Sequence, residues 1–81
     1  MTIEEAIADI SQRVQAASAA AVLRITRVSE EEASIRAYAP AGDEAAIKAA
    51  TLDYTIQLLT SDGLDVQVLV YDVATSLPPE E

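Results

Sequence analysis

Leu64-Asp65-Val66-Gln67-Val68-Leu69-Val70-Tyr71-Asp72-Val73 is the stretch whose reading decides the fold. Val66, Val68, Val70, Tyr71 and Val73 are β-branched or aromatic, the types that suit a pleated surface. Leu64, Val66, Val68 and Val70 fall on alternate positions and share one face of a strand. Asp65, Gln67, Leu69, Tyr71 and Val73 share the other, which starts polar and turns apolar. Such a strand is expected to lie centrally in its sheet or under a cover, because an exposed edge of this composition invites pairing with another chain.

On the N-terminal side of this strand, Thr60-Ser61-Asp62-Gly63 ends a helix, with Gly63 suited to the left-handed cap position. That second helix carries two apolar stripes, Ala45/Ala49/Leu52/Ile56/Leu59 and Ile47/Ala50/Tyr54/Leu58. So broad an arc predicts a helix more buried than the first. Asp43 is the expected N-cap, and Lys48 is expected to pair with Glu44 one turn earlier. Pro40-Ala41-Gly42 closes a preceding strand, Ala33 to Ala39, in which Ala33, Ile35, Ala37 and Ala39 alternate with Ser34, Arg36 and Tyr38. Ser29-Glu30-Glu31-Glu32 reads as a hairpin loop of about four residues leading back to a first strand, Val22 to Val28. Arg27 interrupts the inner face of that strand and is expected at its end, stem packed and head in water. The chain opens on a helix with Thr2 and Glu5 placed as a capping box. Ile3, Ile7, Ile10, Val14 and Ala17 make its single stripe.

The order helix, strand, strand, helix, strand predicts an α+β fold: a two-layer α/β sandwich with a three-stranded sheet and two helices packed on one face. Residues 1–75 are read as one domain and 76–81 as a flexible acidic tail. Strands one and two are neighbours through their short loop. Strand three can join strand two in parallel or strand one antiparallel; the expectation favours the second, with strand one in the middle. The element order is similar to that of KH-like domains, a likeness of topology alone. Those domains clamp the nucleic-acid backbone with a Gly-X-X-Gly loop, and the glycines here, Gly42 and Gly63, form no such loop.

Composition excludes more than it identifies. The 81 residues carry a formal charge of −9 from 14 acidic and 5 basic side chains, the wrong sign for phosphate-driven binding. With no Cys and no His, the chain lacks the common nucleophile and base, and its metal-ligand inventory is confined to oxygen donors. The expectation is therefore no catalytic residue, no cofactor and no metal. The N-terminus lacks the basic start and apolar run of a signal peptide, and the absence of a membrane-length apolar stretch predicts a soluble, cytoplasmic protein.

With both helices on one side, the other sheet face is left bare. Alternation places Arg24, Thr26, Arg36, Tyr38, Gln67, Leu69 and Tyr71 on it. Arginine and tyrosine are types enriched at binding hot spots. This face is the candidate interaction surface of a small, acidic, non-catalytic interaction or regulatory module. A protein partner or self-association, through the open face or through strand three, is the first expectation. The alternative is a binder of a small anionic ligand or single-stranded nucleic acid on the same face. The alanine stripes of the helices read as close packing or as a helix–helix interface between subunits.

Overall fold

The computed structural model describes residues 1–75, and the tail assigned above to residues 76–81 lies outside the described residues. Helix α1 spans Ile3–Ala17, strand β1 Val22–Arg27 and strand β2 Glu32–Ala39; a 3-10 turn over Ala41–Asp43 leads into helix α2, Glu44–Asp62, and strand β3, Asp65–Asp72, closes the fold.

Each boundary has a local cause. The Thr2 hydroxyl accepts from the Glu5 N–H while the Glu5 carboxylate accepts from the Thr2 N–H, so two donors at the start of α1 are satisfied reciprocally. α1 stops at Ser18, where the backbone turns extended. α2 ends on Gly63 at φ 67°, the left-handed conformation that glycine adopts without a Cβ clash. At the start of α2 the expected cap is not made. Asp43 sits in a helical conformation at the end of the 3-10 turn, and its carboxylate accepts from the Ser18 hydroxyl at 2.7 Å instead. It fastens the end of α1 to the start of α2.

The sheet order is β1-β2-β3, with β1 and β2 antiparallel and β2 and β3 parallel. This corrects the expectation that β1 is central and β3 antiparallel to it. β2, α2 and β3 form a crossover unit in which α2 carries the chain back the length of the sheet, so that Asp65 starts beside Glu32. The central place goes to the strand with the smallest inner side chains, Ala33, Ala37 and Ala39, over which helices can pack closely.

One face of the sheet is the core. Ala33, Ile35 and Ala37 of β2 align with Val66, Val68 and Val70 of β3. Ile3, Ala6, Ile10 and Val14 of α1 and Ile47 and Leu58 of α2 pack with that layer in a single cluster. Both helices thus lie on the same side, as the pattern predicts. Arg27 is the last residue of β1 and its guanidinium reaches Glu4 of α1. Tyr54, at the core edge, donates to Asp9 at 2.7 Å and carries Arg13 over its ring at 4.1 Å, a second tie between the helices. No described helix is long and apolar enough to cross a membrane.

Candidate functional site

The strand registers place all seven candidate residues of the bare face together, in three cross-strand rows. Thr26, Ser34 and Gln67 form the first, Arg24, Arg36 and Leu69 the second, and Val22, Tyr38 and Tyr71 the third. Arg24 and Arg36 are direct neighbours across the antiparallel pair, and both are half-buried. One Arg24 nitrogen donates to the Leu23 carbonyl at 3.0 Å. Tyr38 and Tyr71 stack with ring centroids 5.2 Å apart and planes at 20°, a favourable aromatic geometry. Tyr38 is only 5% exposed, so the central tyrosine contributes almost no free ring, while Leu69 and Tyr71 on β3 stay exposed.

A second surface meets this face along β3. The register makes β3 an edge strand, bonded on one side to β2. The N–H groups of Asp65 and Val73 bond to the carbonyls of Glu31 and Ala39. Alternation along a parallel ladder therefore turns the N–H and C=O of Val66, Val68 and Val70 outward, away from β2. Beside this edge runs α2. Of its two apolar stripes only one goes inward: Ile47 and Leu58 are buried with Thr51, whose hydroxyl donates to the Ile47 carbonyl. The other is outside, with Leu52 58%, Ile56 54% and Leu59 54% exposed. The expectation that α2 is the more buried helix is thus corrected; a two-layer domain has a core on one side of a helix only. Between α2 and the β3 edge lies a groove of about 470 Å³, with Leu52, Ile56 and Leu59 on one wall and Val66, Val68 and Leu69 on the other. Lys48, bonded to Glu44 at 2.9 Å, and Asp65 are the charged residues that line it.

Reading the chain residue by residue finds the bare face but misses the groove. The signal was there: two full stripes on one helix exceed what one sheet face can cover. Set beside known protein families, curated proteins and solved structures, the chain matches none of them.

Proposed function

We propose that this protein is a small, acidic, non-catalytic interaction module of the cytoplasm, regulatory in the sense that it acts by contact, and that its contact surface is β3 with the flanking stripe of α2. The observation that carries this reading is the contrast between the two sheet edges. β1 bears Arg24 and Arg27, charged residues of the kind that discourage pairing at an edge. Leu64 to Val73 contains no Lys, Arg or Pro, and its outward backbone groups lie next to three exposed large aliphatic side chains. Backbone donors left unpaired among the described residues, beside an apolar wall, are what strand addition uses: main-chain bonds supply affinity and side-chain pockets supply selectivity.

The test is affinity capture from the native host with the wild-type chain and with Leu59→Glu, a change at an exposed position that the fold tolerates. Partners held by wild type and released by the variant support the reading. An identical set of partners from both removes it.

A second reading rests on Arg24 and Arg36, direct neighbours on the bare face of an acidic molecule. It takes a small anion there. The burial of Tyr38 argues against base stacking and so against the nucleic-acid form of this reading. Phosphate titrated at low salt is expected to move the amide signals of Arg24 and Arg36; signals that stay fixed dispose of it.

A further inference from the structure

Resting on the interaction reading above, we infer that the occupant of the α2–β3 surface is a second copy of this chain, placed by a two-fold axis that passes just outside the middle of β3 and beside Leu52 of α2. Two elements give this axis independently.

The first is the outer stripe of α2. Ala45, Ala49, Leu52, Ile56 and Leu59 follow spacings of four, three, four and three, the rhythm of a helix–helix seam. The stripe is small at its start and large at its end. Turned about Leu52 onto an antiparallel copy, it sets Leu59 against Ala45 of the other chain and Ile56 against Ala49. Large meets small on either side of the axis, the condition for interdigitation, and the two Leu52 side chains meet at the axis itself.

The second is the strand. A two-fold axis perpendicular to a sheet keeps each face on its own side, so residues opposite one another must differ by an even number. Asp65 can therefore never face Asp72, and the like-charge pairing that an end-to-end match of β3 implies is excluded by geometry. Centring on Leu69 pairs Val68 with Val70 on the helix side, and Leu69 with itself and Gln67 with Tyr71 on the bare side. In this register the outward-facing N–H and C=O groups of Val68 and Val70 bond across the junction.

The two centres coincide. α2 and β3 run in opposite directions through a tight connection at Gly63. Leu52 lies ten residues before the end of α2, about 15 Å along it. That distance corresponds to about four or five residues of strand counted from Asp65, level with Leu69 and Val70. Leu52 and Leu69 indeed line the same groove. Joined strands lie about 4.8 Å apart while packed helices need about 8–10 Å, so each α2 must stand roughly 2 Å back from its edge. The groove supplies that setback, and Ala45 and Ala49 allow the close end of the helix spacing. The eight-residue edge, about 25 Å long and two layers deep, offers an area on the order of 500 Å² in projection. Counted on both partners this is about 1,000 Å², the lower bound for a specific interface.

The full 81-residue chain tests this directly. Sedimentation across a concentration series is expected to show a dimer dissociating in the micromolar range or tighter. Leu52→Glu places two carboxylates at the axis and is expected to weaken it about 100-fold or more while circular dichroism stays native. The chain has no cysteine, so Leu69→Cys is a clean reporter. Opposite residues at a non-hydrogen-bonded antiparallel site have Cα atoms about 4.5 Å apart, within disulfide reach. With oxidised glutathione, Leu69→Cys should give a covalent dimer quickly, and Ile25→Cys, exposed on the far strand, should not. A strict monomer throughout the series, a dimer indifferent to Leu52→Glu, or equally fast coupling of the two cysteine variants overturns the second-copy assignment. An uncharged solvatochromic dye separates the two levels of failure. A monomer that binds the dye and loses it in Leu52→Glu refutes only the second copy; a monomer that never binds it refutes the interaction surface as well.

Discussion

α1 and α2 carry the same apolar rhythm and do opposite things with it. In α1 the stripe Ile3, Ile7, Ile10, Val14, Ala17 turns inward, and Ile3, Ile10 and Val14 are buried. In α2 the stripe Ala45, Ala49, Leu52, Ile56, Leu59 has identical spacing and lies outside throughout. The difference comes from what else each helix carries. Off that stripe α1 carries alanines and polar residues, with Ala6 buried and Glu4, Glu5, Gln12 and Arg13 in water. α2 has a second stripe, and Ile47 and Leu58 take the only core available. Periodicity therefore identifies an apolar face but not its cover, and the comparison separates a face used for folding from one left over for contact.

The sharpest way to break the comparison is to truncate the middle residue of each stripe. Ile10→Ala removes a fully buried side chain and is expected to lower unfolding free energy by about 2–5 kcal/mol. Leu52→Ala, at the same position in its stripe, is expected to cost less than about 1 kcal/mol in dilute solution, where only the monomer is measured. Urea melts at low protein concentration check both. Equal losses would mean that the outer stripe is part of the folding core after all.

The two glycines sharpen the comparison at the ends of α2. Gly63→Ala forces a side chain into a left-handed backbone and is expected to cost about 1–2 kcal/mol by the same melts. Gly42→Ala meets open space at an ordinary φ and is expected to stay within about 0.5 kcal/mol of wild type. The start of α1 ranks next. Thr2→Ala removes the capping box and is expected to cost about 1 kcal/mol. α2 has no equivalent, because Asp43 is spent on Ser18; Asp43→Asn, which still accepts that bond, is expected to be nearly silent.

How much of this was legible beforehand follows from the range of each interaction. The capping box, the cap at Gly63, the Lys48–Glu44 pair and the alternation of β2 and β3 depend on neighbours within a few residues, and each stands in the structure as read. The seven residues of the bare face could be grouped because strand parity survives any choice of strand order. What could not be read depends on pairing across the crossover. Val66 to Val70 look the same beside β1 or β2, yet only the second puts β2 in the middle and runs β3 parallel to its neighbour. The burial of Tyr38 likewise needs Tyr71 beside it, a neighbour supplied by the register and not by the local sequence.

The smallest effects lie at the pH extremes, and again the two helices differ. At the start of α1, backbone N–H groups hold the Glu4 and Glu5 carboxyls below their ordinary range, Glu4's own and Thr2's respectively, helped by Arg27 and the Thr2 hydroxyl. A depressed folded pKa stabilises the protein fully above the ordinary carboxylate value of 4.5, and that contribution drains away as pH falls through the folded values. On α2, burial against α1 raises the Tyr54 phenol above 10.0, and the bond to Asp9 adds to it. A raised folded pKa works in the other direction: its contribution is whole below the ordinary value and is lost as pH climbs through the folded one. Tyr54→Phe is therefore expected to flatten the alkaline limb of a stability–pH curve and leave the acid limb in place, while Thr2→Ala weakens the acid limb alone. A variant that moves both limbs together would show that the helix ends are coupled more tightly than the Tyr54–Asp9 tie allows.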